Sequence, residues 1–156
     1  MVTRAPRRTA FQGRPRLLVV DDEEDILDVI EEMLKSNNPP IQVDTFTDPE
    51  RALKHFRDKR EGYYSVVLSD VRMPRMSGFV FAREIRNLSH KVKIIMMSAF
   101  EMNKNEFDSV WPMLHISEFV SKPFTRDQLV RAVTKYMDMG DTSATAGKDD
   151  ESMYLS

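Results

Sequence analysis

Four charged side chains and one hydroxyl stand out because each comes at the end of a short apolar run. Asp21 and Asp22 follow "RLLVV", Asp70 closes "VVLSD", Ser98 closes "IIMMS" and Lys122 follows "SEFVS". A buried run that finishes on a charge needs something to meet that charge. Carboxylates about 5 Å apart repel by roughly 3 kcal/mol per pair at an effective dielectric near 20. Three of them together must therefore hold a proton or gather round a cation. Hard oxygen donors with room for water suit Mg²⁺ better than a metal that prefers thiolates. Mg²⁺ shared between carboxylates and a phosphoryl oxygen makes phosphoryl transfer the matching chemistry, with Asp70 as nucleophile.

The elements that must gather these residues alternate along the chain. "RLLVV" (16–20), "IQVDTF" (41–46), "YSVVLS" (64–69), "KIIMMS" (93–98) and "SEFVS" (117–121) read as strands. Those at Leu17, Val66 and Ile94 are nearly continuous hydrophobe, as strands covered on both faces must be. Between them lie helical patterns. Ile26, Leu27, Ile30, Met33 and Leu34 repeat every 3.6 residues, with Asp25, Asp28, Glu31 and Glu32 on the wet side. Asp48 and Pro49 open a helix through Ala52, Leu53 and Phe56. Ser77 and Gly78 precede "FVFAREIRNL", where Val80, Phe81, Ile85 and Leu88 can share a buried side, and Gly78 lets the backbone turn into the helix. Thr125 and Gln128 make a capping box, with Phe124 stapling against Leu129, for a last helix through Val130, Val133, Tyr136 and Met137.

Strict alternation predicts an α/β fold: a doubly wound, flavodoxin-like sheet of five parallel strands in the order 2-1-3-4-5, with five helices. All strand carboxyl ends of a parallel sheet share one edge, and strands 1 and 3 become neighbours ~4.8 Å apart. That edge brings Asp21, Asp22 and Asp70 together, with Ser98 and Lys122 alongside.

The set "VVDDEE", "LSDVRMPRMSGFVFAREIR", "IIMMSAF" and "FVSKPF" strongly resembles the response-regulator receiver domain of two-component signalling, over about residues 16–139. The resemblance implies a single-domain, chemotaxis-type phosphorelay switch rather than an enzyme. Asp70 would accept a phosphoryl group from a histidine kinase or a phosphotransfer protein. Asp22, Asp70 and the backbone carbonyl of Arg72 would bind Mg²⁺, with Asp21 acting through water. Lys122 would contact the phosphoryl group and pair with Asp70 in its absence. Ser98 stands where the family has Thr or Ser, and Phe119 takes the place of the switch aromatic. The Lys122–Pro123 bond is cis in relatives, and Met73 and Pro74 shape the loop after Asp70. The unknown downstream partner would be a protein, met as a monomer or through a weak phosphorylation-dependent dimer.

The chain also departs from the family. "LHIS" (114–117) stands where "GA" is usual, the Ser98 to Lys122 interval is about two residues longer than is common, and Trp111-Pro112 falls inside the fourth helix. Proline costs a helix interior ~3 kcal/mol or more, so that helix should end or kink near Trp111. Arg72 and Phe100 flank the route of hydrolytic water in relatives: either their bulk shields an acyl phosphate, or both point to solvent and change little. An alternative from another class is an aspartyl-phosphate-forming phosphatase or phosphotransferase of haloacid-dehalogenase type. That family needs a second acid two residues after its nucleophile, and Arg72 fills the place.

Composition narrows the rest. The 156 residues have a net charge of −2 and no cysteine, and no apolar run long enough to span a bilayer, and the amino terminus lacks a secretory segment. A cytoplasmic location is expected. Residues 1–15 form a basic leader with Arg4, Arg7, Arg8 and Arg14, without the aromatic interleaving of a nucleic-acid binder. Residues 140–156 read as a flexible tail too short for an output domain. His55, His90 and His115 lie on different elements and suit surface or cap roles rather than a metal, and the eleven methionines suit the core.

Overall fold

A computed structural model describes residues 15–99 and 104–137. The strands are β1 (Arg16–Val20), β2 (Gln42–Phe46), β3 (Val66–Asp70), β4 (Lys93–Ser98) and β5 (Glu118–Ser121). The helices are α1 (Glu24–Lys35), α2 (Pro49–Asp58), α3 (Gly78–Leu88), α4 (Lys104–Val110) and α5 (Arg126–Tyr136). All strand pairs are parallel and the sheet order is β2-β1-β3-β4-β5, the order expected from the alternation.

The continuous apolar strands divide their side chains between two cores, because successive residues point to opposite faces. Leu18, Val20, Val67, Ile94 and Met96 face Ala52, Phe81, Ile85 and Phe107, from α2, α3 and α4. Leu17, Val19, Val66, Leu68, Ile95 and Met97 face Leu27, Ile30, Leu34, Leu129 and Val133, from α1 and α5. Met96 and Met97 are fully buried, as core methionines.

Helix starts follow the chemistry of their caps. The Asp48 side chain accepts from the Glu50 N–H ahead of α2, Ser77 accepts from Val80 ahead of α3, and Thr125 and Gln128 form the capping box of α5. α4 stops at Val110, as Pro112 requires: the Trp111 N–H still bonds Phe107 at 2.8 Å, and Leu114 then turns back to Trp111.

Several boundaries and faces differ from expectation. Ile41 lies outside β2 because its N–H bonds the Leu34 carbonyl at the end of α1. β3 begins at Val66 and includes Asp70, since pairing with β4 continues to Met97. Leu88 is 41% exposed. The inward position near the end of α3 belongs instead to Arg86, which is buried. His55 is half-buried, its ring 5.1 Å from Phe46 and 6.2 Å from Tyr64, so it serves an aromatic contact rather than a surface or cap role. The sequence "LHIS" buries Leu114 and Ile116 while His115, at φ 51°, stays exposed.

Candidate functional site

β1 and β3 run side by side in register, so their carboxyl ends bring Asp21, Asp22 and Asp70 to one place. A carboxylate oxygen from each lies within 4.8 Å of the other two. Asp21 is fully buried, Asp70 nearly so, and Asp22 is exposed. Lys122, just past β5, reaches across β4 to both buried acids: its Nζ donates to Asp21 Oδ2 at 2.8 Å and to Asp70 Oδ1 at 3.0 Å. The second Asp21 oxygen accepts the Glu23 N–H at 2.9 Å, which fixes the carboxylate at the entrance of α1.

Electrostatics follow from this crowding. Burial lifts the Asp70 carboxyl above the usual aspartate range; the Lys122 hydrogen bond opposes the lift, and the charges of Asp21 and Asp22 reinforce it. Burial works against the Lys122 ammonium, yet its hydrogen bonds to Asp21 and Asp70 outweigh that and hold the group above the usual lysine range. One ammonium does not neutralise three carboxylates. The donor set, all hard oxygen with one exposed acid open to water, fits a small divalent cation such as Mg²⁺. Among the described residues it is the only group of three or more acidic or histidine side chains close enough to share a metal.

The other expected residues lie on the adjoining strands and loops, not all of them beside this hollow. Ser98 is buried at the end of β4, and its carbonyl accepts the Lys122 N–H at 2.7 Å, tying the two strand ends together. The Lys122–Pro123 peptide is cis. Phe119 lies away from the carboxylates, half-buried, its ring edge-on to Phe107 at 5.1 Å. The Arg72 side chain is exposed, and Phe100, its expected companion, lies outside the described residues. So do residues 1–14 of the basic leader and 138–156, which hold the expected tail.

Gly78 corrects the reading of its role. Its φ is not positive; the need is for space, because a Cβ would overlap the Asp70 carbonyl. Its N–H donates to the Val71 carbonyl at 2.8 Å, so α3 begins pressed against the strand that ends in Asp70. Two features carried no signal in the one-dimensional pattern. Arg86 bonds main-chain carbonyls alone, those of Ser89, His90 and Val92 just after its own helix and those of Leu114 and His115 from a distant segment. Phe79 of α3, Phe107 of α4 and Trp111, the residue after α4, form one aromatic cluster. The spacing of aromatics alone does not reveal such a meeting.

Comparison with known proteins agrees with this fold. The family model for the response regulator receiver domain matches residues 17–134. The chain is 25% identical over 123 residues to the chemotaxis protein CheY of Bacillus subtilis, covering 79% of this chain and 98% of that protein. It is 29% identical over 119 residues to the transcriptional regulatory protein DltR of Streptococcus agalactiae, covering 76% of this chain but only half, 50%, of DltR. Among solved structures, the response regulator TrrA of Thermotoga maritima in complex with Mg²⁺ and BeF superposes with a TM-score of 0.65 at 34% identity, covering 78% of this chain and 98% of that one. No helix among the described residues is long and apolar enough to cross a membrane.

Proposed function

The chain belongs to the response regulator receiver domain family, and from that premise we propose that it is a phosphorylation-dependent signalling switch whose phosphoacceptor is Asp70. The observation that carries the reading is the meeting of Lys122 with Asp21 and Asp70, at 2.8 and 3.0 Å, beside the third acid Asp22. Such an arrangement pairs a nucleophilic carboxylate with an ammonium while leaving its second oxygen available.

The donor is a phosphohistidine of a histidine kinase or a phosphotransfer protein. The free Asp70 oxygen attacks phosphorus, a P–O bond forms, the P–N bond breaks, and the imidazole nitrogen takes a proton. Lys122 follows the charge: its ammonium leaves the Asp70 oxygen and contacts a phosphoryl oxygen, still anchored by Asp21. The Ser98 hydroxyl, one strand away, donates to another phosphoryl oxygen. Asp21, Asp22, Asp70 and the Arg72 carbonyl would hold Mg²⁺, which supplies neutralising charge for the phosphoryl oxygens when bound. Phe119 changes arrangement with Ser98, and the population shift alters the surface of α4, β5 and α5 that a downstream protein reads. The acidic outer side of α1 gives the donor a charge-guided approach. On this reading the chain works in the cytoplasm as a binding partner and turns over no separate substrate.

Incubation with Mg²⁺ and a small acyl-phosphate donor, followed by intact mass measurement, tests the assignment. One acid-labile phosphate per wild-type chain, absent from Asp70→Asn, is expected. A phosphate adduct that persists in Asp70→Asn overturns it.

A further inference from the structure

The α3 helix grips the α4–β5 region at both of its ends. Near its start, the Phe79 ring lies 4.8 Å from Phe107 of α4 and 6.0 Å from Trp111. Phe107 in turn meets Phe119 of β5 at 5.1 Å. Two helical turns later, on nearly the same face of α3, sits Arg86. Its Nε donates to the Leu114 carbonyl at 3.0 Å and its Nη2 to His115 at 3.2 Å, on the segment that leads from α4 into β5. Its Nη1 donates to Val92 at 2.7 Å, just ahead of β4.

The start of α3 is bound just as closely to the strand that carries Asp70. The Gly78 N–H bonds the Val71 carbonyl, and its α-carbon lies against the Asp70 carbonyl with no space for a Cβ. A displacement of that loop must move the first turn of α3, since packed interiors pass strain on rather than absorb it. Phe79 is the next residue. We propose that Phe79 and Arg86 are positioning residues through which α3 carries a change at Asp70 to α4 and Phe119, beside the route through Ser98. Neither touches the carboxylates; both act by holding α4 and its exit to the helix that abuts the site. The inference rests on Asp70 being the phosphoacceptor.

Trp111 is the sole tryptophan and lies in this contact, so its emission reads the position of α4. The full chain is phosphorylated with an acyl-phosphate donor and Mg²⁺, occupancy is measured by intact mass, and the emission change is compared at equal occupancy. Wild type should show a change. Phe79→Leu should take up phosphate yet show a response at least about two-fold smaller, as expected when a state change no longer reaches the reporter. Val29→Ala, on the exposed side of α1, should match wild type. Arg86→Lys carries the same expectation as Phe79→Leu should the latter lose its thermal transition. No emission change in fully phosphorylated wild type, or a wild-type response in the folded variants, overturns the inference. A wild-type chain that takes up no phosphate overturns the Asp70 assignment itself, and this inference with it.

Discussion

The α-carbon of Gly78 lies against the main-chain carbonyl of Asp70, and a Cβ there would overlap that oxygen and come within 2.8 Å of the Met96 methyl. Neither neighbour can withdraw easily: Asp70 is in the middle of the sheet and Met96 is fully buried. Glycine to alanine in a helix ordinarily stabilises by up to ~1 kcal/mol. Overpacking of a dense core costs ~1–3 kcal/mol, and contact with backbone belongs at the upper end. Gly78→Ala should therefore lose about 2 kcal/mol in urea titration and take up phosphate more slowly. A variant as stable as wild type would show that the strand end yields.

Neutralising Asp70 should stabilise the metal-free protein. Burial raises its pKa in the folded state, so its contribution to stability is complete below the unfolded value near 4 and is lost as pH rises through the folded value. At pH 7 the ionised group is therefore a net cost, which Asp70→Asn removes. The thermal midpoint of Asp70→Asn should exceed wild type at pH 7 without Mg²⁺, and the two should converge below about pH 4. Added Mg²⁺ should raise the wild-type midpoint more than that of the variant. A lower midpoint for Asp70→Asn at pH 7 would mean that the Lys122 hydrogen bond outweighs burial and repulsion.

Much of this candidate site is legible in the sequence, because each of its five side chains sits at a strand end and strand ends are readable. Continuous hydrophobe marks Leu17–Val20, Val66–Leu68 and Ile94–Met97, and the parallel topology then leaves one edge on which Asp21, Asp22, Asp70, Ser98 and Lys122 can lie. The caps of α2, α3 and α5 were legible for a similar reason: a cap is a local bond between residues two or three apart. What escaped depends on distant pairs. Arg86 looks like an ordinary charged helix residue, and Leu88 like the core residue, until Leu114 and His115 arrive with carbonyls to satisfy. Gly78 was legible as a needed glycine, but the need was read as backbone freedom. The Asp70 carbonyl that forbids a side chain comes from the preceding strand.

Lys122 stabilises the metal-free fold by meeting two acids, one of them fully buried. Removing one partner of a buried pair costs ~3–5 kcal/mol because it strands the other charge. The Lys122 side chain keeps 17% of its exposure and Asp70 keeps 12%, so solvent softens the loss. Lys122→Ala should lose about 2 kcal/mol in denaturant titration without divalent ions. Mg²⁺ should restore a larger share of stability in this variant than it adds to wild type, since it meets the same carboxylates. Equal Mg²⁺ effects in the two proteins would separate the lysine from the metal hollow.

Tyr64 gives the far side of the sheet an alkaline limit. Its hydroxyl is buried and donates to Asp44 at 2.6 Å, and Arg16 holds the other Asp44 oxygen at 2.8 Å, so the group joins the sheet edge at β2 to the segment ahead of β3. Burial first, then the bond to Asp44, pushes its pKa above the ordinary tyrosine range. A raised folded pKa means that this stability is complete below the unfolded value near 10 and falls as pH rises beyond it, where the unfolded chain sheds its proton and the folded one keeps it. Tyr64→Phe gives up a hydrogen bond to a carboxylate, about 1.5–3 kcal/mol at neutral pH. It should also lose less stability than wild type between about pH 10 and 11. Urea midpoints at pH 7, 9, 10 and 11 compare the two slopes, and parallel slopes would mean that Tyr64 does not set the alkaline limit.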